Sequence, residues 1–223
     1  MGIPEHSQLA TVIAAADEMA VRLCIPADMI SLHRDLKVAS MSGRTKKQHS
    51  LRWGAFLLTY AAAEGFFNGA LGRALEQSRP MPLNPDKIRA TAAERHSVNL
   101  FTKDWGVRTR TMSGERGNRS EWETFIGPEK VRLYLADMKS LRDILGHGGD
   151  PYRATNKSGA LWTIQKGASL RLMGVEGFLQ ACCDLADQTI LAYGGPLENG
   201  PTWPEPDRSA LSNEDRPSLP LLS

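Results

Sequence analysis

The sequence predicts an all-α protein, an up-and-down bundle of long helices with one small β-hairpin inserted. Three observations predict it. Apolar residues recur at spacings of three and four over several long stretches, the mark of helices with one buried face. The connectors between most of these stretches are short and rich in proline and glycine, which suits antiparallel neighbours. One stretch, residues 161–172, instead alternates with period two around a glycine, as the two arms of a hairpin do.

Taken in order, residues 4–24 form the first helix, with Leu9, Val12, Ile13, Ala16, Met19, Ala20 and Leu23 on one stripe. Pro26 is expected to break it, because proline lacks the backbone donor and clashes with the preceding turn. A second helical stretch over 27–40 turns Met29, Leu32 and Leu36 inward, and His33 is expected at the surface. Residues 42–52 change character: Arg44, Lys46, Lys47 and Arg52 face no acidic residue there. They either track an RNA backbone through its phosphates or form a solvated connector.

The helix expected over 50–79 carries Trp53, Phe56, Leu57, Tyr60, Phe67, Leu71 and Leu75 on one face, with Glu64 on the same stripe and Asn68 one turn on. A carboxylate on an apolar stripe is costly unless paired. Glu64 therefore either sits at the margin of the stripe or faces inward onto a cation, with Arg142 as the candidate. Pro80, Pro82 and Pro85 end this helix, and a short one follows over 86–96. From Phe101 to Phe125 a long loop is expected, with Trp105 and Trp122 among Arg108, Arg110, Arg116 and Arg119. Arginines interleaved with aromatics bind single-stranded nucleic acid by phosphate contact and base stacking, which makes Arg108 and Arg110 candidates. The other reading is a loop that packs its tryptophans onto the bundle.

Gly127-Pro128 is a helix-start signal, since proline at the first helical position loses nothing by lacking its N–H. Val131, Tyr134, Leu135, Met138, Leu141 and Leu145 share a face of the helix 128–147, and Gly148, Gly149 and Pro151 stop it. The hairpin then sets Trp162 and Ile164 on one arm and Leu170 and Leu172 on the other. A last helix over 174–193 aligns Val175, Phe178, Leu179, Cys182, Leu185, Ala186, Ile190 and Tyr193.

Composition sets the domain plan. The chain has 223 residues, 41% of them hydrophobic, enough for one domain over 1–195 with a real core. The remainder, 196–223, has six prolines, five acidic and two basic residues, and is expected to be an extended or disordered tail; the other reading is that it lies on the body or holds a partner. With a total charge of +2, the body carries +5, mildly basic and compatible with RNA. The three cysteines show neither metal spacing nor a disulfide framework. Cys182 and Cys183 fall in an apolar helix and read as core thiols. This usage suits a reducing cytoplasm. No apolar run approaches the length of a membrane span, the start lacks the pattern of a signal peptide, and no cofactor motif is present.

The chemistry-bearing stretch is Ser140-Leu-Arg-Asp-Ile-Leu-Gly-His-Gly-Gly149, with Arg142 and His147 in the spacing R-x4-H at a helix end. Five residues turn about 140° beyond one full turn, so the two side chains do not stand directly above one another. Asp143 is four residues before His147, on the same face, and is expected to accept the imidazole N–H. An imidazole exchanges protons near neutral pH, and a guanidinium suits a phosphate. Together they fit phosphodiester cleavage by the RNA's own 2′-hydroxyl, which needs a base, an acid and charge stabilisation. The structural reading is that Arg142 pairs with Asp137 or Asp143 and His147 ends the helix.

The segment Leu-Arg-Asp-Ile-Leu-Gly-His-Gly-Gly resembles the signature of the HEPN superfamily, R-x4-H with a polar residue after the arginine and a small one before the histidine. The helix from Leu51 to Asn68 is similar to the second helix of RNase-type members, which is aromatic-rich and carries a buried acidic residue. Many members have asparagine where this chain has Asp143. The resemblance covers roughly residues 5–193. It implies a HEPN-like bundle, a homodimer and metal-independent endoribonuclease activity without a cofactor, of the kind found in toxin–antitoxin and antiphage systems. The implied catalytic residues are Arg142, His147, Asp143 and Glu64, and the implied partners are RNA and an antitoxin or defence-system protein. An alternative from another class is a non-catalytic helical module that binds RNA, nucleotide or a protein.

Overall fold

The computed structural model describes residues 5–38, 44–73, 80–113 and 119–207, with the backbone alone at 5–6, 36–38, 44–46, 112–113 and 119–120. Helix α1 spans Glu5–Val38 and α2 spans Arg44–Ala70. Both exceed expectation in one respect. Pro26 lies inside α1, not between two helices. An internal proline costs an isolated helix about 3 kcal/mol, but Met19, Leu23, Ala27 and Ile30 are buried on either side of it, and packing outweighs propensity. His33, expected outside, is buried on the same helix. At α2 the basic stretch is no connector: the helix already begins at Arg44. Residues 74–79, with Leu75, lie outside the described residues.

The two helices run antiparallel at close range. A Cβ on Gly54 would meet Met29, one on Gly65 would meet Arg22, and one on Gly69 would meet Ala15. Asn68 staples the end of α2 to the following chain: its amide donates to Met81 O and its Oδ1 accepts from Met81 N. Helix α3, Pro85–His96, starts with proline at its first position and an Asn84 side-chain cap on Lys87 N.

The stretch expected to be a long loop is a β-hairpin. Strands β1, Gly106–Ser113, and β2, Arg119–Ile126, pair antiparallel from Gly106↔Ile126 to Ser113↔Arg119. Val107 and Phe125 enter the core, and the first tryptophan, Trp105, is fully enclosed just ahead of β1. Helix α4, Pro128–Gly146, carries its expected face into the core, with Val131, Tyr134, Leu135, Met138 and Leu141 buried. The second hairpin lies where expected, as β3, Trp162–Ile164, and β4, Gly167–Ser169. Its second arm ends at Ser169, and Leu172 opens helix α5, Leu172–Ala192. The chain is thus mostly helical, with two small antiparallel hairpins among the described residues.

Helix α5 is buried from Gly174 to Ala186 on every side, so its polar positions are enclosed with its apolar ones. Glu176, Gln180, Asp184 and Gln188 recur every four residues and face β1. Asp184 accepts from Arg108 N and is grasped by the Arg108 guanidinium; Gln180 Nε2 donates to it at 2.8 Å. Gln188 accepts from Gly106 N and donates to Gly106 O. Glu176 receives Arg110 of β1 at 3.5 Å and Arg34 of α1 at 2.7 Å. The fit is geometric where Gln188 meets Gly106 and Asp184 meets Arg108: four helical residues rise about 6.0 Å and two strand residues about 6.8 Å, so one step of each repeat matches. Gly177 makes the approach possible, because a Cβ there would lie 2.3 Å from Arg110 N. Side chains of α5 thereby satisfy the strand edge that β2 leaves open.

Arg34 against Glu176 at one end, and Leu9 against Gly195 at the other, set α1 antiparallel to α5. Helices α2 and α5 therefore run in the same direction, joined by Phe56 and Tyr60 on Phe178 at 5.2 and 6.0 Å between ring centres.

The tail expectation needs correction over its first twelve residues. Residues 196–207 lie on the body as a strap. Trp203 packs on the core and its Nε1 donates to Asp187 Oδ1 at 2.8 Å. Asp207 N donates to Ser31 Oγ at 2.8 Å, and its carbonyl accepts from Arg34 at 2.9 Å. The domain therefore reaches at least Asp207, not Gly195; residues 208–223 lie outside the described residues. No helix among the described residues is long and apolar enough to cross a membrane.

Candidate active site

Two helices and one loop build the site. From α4, Arg142 points across to α2, where its Nη2 meets Glu64 Oε1 at 2.6 Å. Its guanidinium lies 4.9 Å above the ring centre of Tyr60, one turn before Glu64. Its Nη1 also pairs with Asp143 at 2.9 Å. Glu64 and Arg142 are half-buried, 19% and 32% exposed at their side chains, so the pair is neither in the core nor free in solvent.

The electrostatics follow from this placement. Burial alone would lower the Arg142 pKa, but the Glu64 carboxylate outweighs it and the guanidinium is held charged more firmly than usual. Burial and the same carboxylate push the Tyr60 phenol up, so Tyr60 stays neutral. Tyr60 Oη lies near the guanidinium but outside hydrogen-bond geometry, and Arg142 Nε is enclosed without a partner. One donor and one hydroxyl thus remain unspent beside the ion pair.

His147 follows the last residue of α4 and is exposed. Its backbone N donates to Asp143 O at 3.1 Å, which closes the helix. Asp143 does not hold its imidazole. The carboxylate instead takes Lys139, one turn back, together with Arg142. The reason is local: two cations stand beside Asp143 on the helix, while His147 has left it at φ −100° and ψ 10°. Among the described residues none hydrogen-bonds the imidazole, Arg142 included.

Asp137 is not the surface partner of Arg142 that the structural reading allowed. It is fully buried and holds the chain after the motif, accepting from Thr155 Oγ1, Ser158 N and Ser158 Oγ, each at 2.7 Å. The loop that carries His147 is anchored from both sides by α4 itself.

The expected RNA contacts disperse. Arg108 and Arg110 are not brought to the site; they are consumed by Asp184 and Glu176, and Arg110 is only 2% exposed and lies over Trp122. Neither is free to follow a phosphate backbone. Lys47 is exposed on α2. Arg52 is half-buried over Trp53. The side chains of Arg44 and Lys46, and both Arg116 and Arg119, fall outside the described side chains. Two site residues went unassigned in the sequence, Tyr60 and Lys139. Each stands four residues before a residue that was assigned, Glu64 and Asp143, and that spacing was the available signal. Among the described residues no three His, Cys, Asp or Glu side chains gather as metal ligands would.

Compared with known proteins, no family model, no curated protein and no solved structure matches this chain.

Proposed function

We propose that the protein is a HEPN-type endoribonuclease that cleaves RNA without a metal ion, acting as a homodimer. The observation that carries this reading is the Glu64–Arg142 pair at 2.6 Å, which fixes a half-exposed guanidinium at the end of the R-x4-H helix. In the reaction the RNA 2′-oxygen attacks the adjacent phosphorus, its proton passes to a base, and the 5′-oxygen leaves with a proton from an acid. The products carry a 2′,3′-cyclic phosphate and a 5′-hydroxyl. Arg142 stabilises the charge on the pentavalent phosphate. Glu64 and Asp143 position Arg142, and His147 transfers a proton. One protomer supplies one histidine; a symmetric partner supplies the second, so that one acts as base and the other as acid. The biological setting proposed with this activity is a toxin controlled by an antitoxin, or an antiphage effector.

A second reading is a non-catalytic module that binds RNA, nucleotide or protein. It is favoured by one observation: two carboxylates already share Arg142, while His147 has no orienting partner among the described residues of the protomer. Purified His147→Ala separates the two readings. The ribonuclease reading expects cleavage of total RNA to fall about a hundred- to ten-thousandfold, with helical content intact and chelator without effect on the parent protein. Cleavage within a few-fold of the parent would leave only the binding module.

A further inference from the structure

Arg34, Arg108, Arg110 and Arg142 each end on a carboxylate. Arg52 does not. It is half-buried near the start of α2, its Nε is enclosed without a hydrogen-bond partner, and its guanidinium lies 4.4 Å above the Trp53 ring centre. Arg171 makes the same arrangement at the start of α5: it lies 4.7 Å above the ring of Trp162, whose own Nε1 is enclosed and unpartnered. Because α2 and α5 run in the same direction and touch at Phe56 and Phe178, both arginines stand at one end of that helix pair. They stand close enough for their charges to repel. Burial first, and then the Arg171 charge, lower the Arg52 pKa, while Tyr152 opposes them. Tyr152 belongs to the turn that leaves the motif loop, and this turn is wedged against the second hairpin, where a Cβ on Gly167 would meet Tyr152 O at 2.2 Å.

Among the described residues neither guanidinium ends on a carboxylate, and two neighbouring cations are what an anion would satisfy. The amino end of α5 adds to this. Arg171 offers no side-chain cap, and the first turn holds no acidic residue, so the helix leaves its first N–H groups and its positive pole at the same place.

We propose that Arg52 and Arg171, each laid on a tryptophan, form a second phosphate-binding site, which holds a backbone phosphate of single-stranded RNA away from the Arg142–His147 centre. The shared chemistry is a phosphate group. The choice of RNA over a free anion rests on the ribonuclease reading above and on Trp53, a part-exposed ring beside the Arg52 guanidinium, since bases stack on such rings without regard to sequence. Arg52 precedes Glu64 by twelve residues of one helix, about 18 Å along its axis, a span of about five stacked nucleotides. A strand held at both places is fixed in direction across the cleavage centre.

The test is binding, not turnover. A fluorescein-labelled 2′-O-methyl oligouridine, which cannot be cleaved, is titrated onto the full chain by anisotropy across a salt series. Arg171→Gln and Arg52→Gln are each expected to weaken binding about tenfold, with a slope of log K against log salt shallower by about 0.7. Arg89→Gln, on α3, is expected to change neither. Arg171 is exposed, so its variant keeps the fold and carries the test if Arg52→Gln does not fold. Binding within twofold of the parent at unchanged slope for Arg171→Gln overturns the proposal. Inorganic phosphate or pyrophosphate supplies the second arm. Arg171-dependent thermal stabilisation by these ions, with oligouridine binding indifferent to Arg171, would identify a small-anion site and overturn the assignment to RNA. The two readings fail separately: unchanged cleavage by His147→Ala removes the ribonuclease mechanism, whereas loss of oligouridine binding in Arg171→Gln sustains the phosphate site regardless.

Discussion

Between α5 and β1, Asp184 is fully enclosed and receives a backbone N–H, a guanidinium and an amide. At the end of α4, the same two kinds of side chain, Glu64 and Arg142, meet at 2.6 Å but stay partly in solvent, with Arg142 Nε unspent. The first arrangement leaves Asp184 no capacity for a ligand; its groups are saturated by each other, and their value is in fixing which strand lies against which helix turn. The second leaves capacity. A buried charge network specifies packing, while a pair that stays partly in solvent can meet a substrate. Arginine count alone would rank the β1 region above the α4 end as an RNA surface, and the burial of its partners reverses that order.

The sharpest way to break this comparison is Asp184→Ala. It removes the buried carboxylate that Arg108 N, the Arg108 guanidinium and Gln180 share, and is expected to cost about 3–5 kcal/mol in urea unfolding. A loss under about 1 kcal/mol would show that the network is not structural. Next comes truncation after Gly195, which removes the Trp203 and Asp207 contacts. It is expected to cost about 2–3 kcal/mol and to lower the thermal midpoint by about 4–12 °C; an unchanged midpoint would show that the strap contributes no stability.

Glu64→Gln keeps an acceptor for Arg142 at a half-buried site and is expected to cost about 1–2 kcal/mol, yet to reduce RNA cleavage by at least about a hundredfold. If it destabilises as strongly as Asp184→Ala with activity retained, the α4 end is structural too. Arg142→Lys is expected to recover little activity, since an ammonium cannot make the planar two-point contact with phosphate.

The smallest effect concerns pH. Burial raises the Asp187 carboxyl from 3.8 to about 6, with the neighbouring Asp184 adding to the rise and the Trp203 hydrogen bond opposing it. A folded-state pKa above the unfolded one means that the native state binds the extra proton. The contribution is full below about pH 4 and is lost as pH rises through about 6. Asp187→Asn keeps an acceptor for Trp203 and is expected to flatten that part of the stability profile. An identical slope in both proteins between about pH 4 and 6 would assign it to other groups.

Much of this was legible in the sequence. The spans of α3, α4 and α5 follow from Pro85, from Gly127-Pro128 and from regular apolar spacing, and Glu64 announced a partner by standing on an apolar stripe. What escaped had specific causes. The β1–β2 hairpin hid because Val107, Thr109 and Thr111 alternate with arginines, and a search for apolar alternation does not credit a strand face buried through ion pairs. Glu176, Gln180, Asp184 and Gln188 have helical spacing, but a stripe of polar residues reads as solvent-facing until β1 is laid on it. The Asp143–His147 bond was expected from helical spacing, and the helix ends one residue too early to provide it. Pro26 was read as a breaker because propensity is local and the packing that overrides it is not.

Arg34 has its partners 142 and 173 positions further along the chain, at Glu176 and Asp207. During synthesis at 5–20 residues per second, α1 waits roughly 7–30 s before α5 exists to receive it. The α1–α2 pair is local and forms early, but until then it lacks the Glu176 carboxylate and carries an uncovered aromatic face at Phe56 and Tyr60. Contacts this distant in sequence delay the final docking step. The helix made first is thus completed last, and the nascent hairpin is the species that a chaperone, or an aggregating neighbour, would meet.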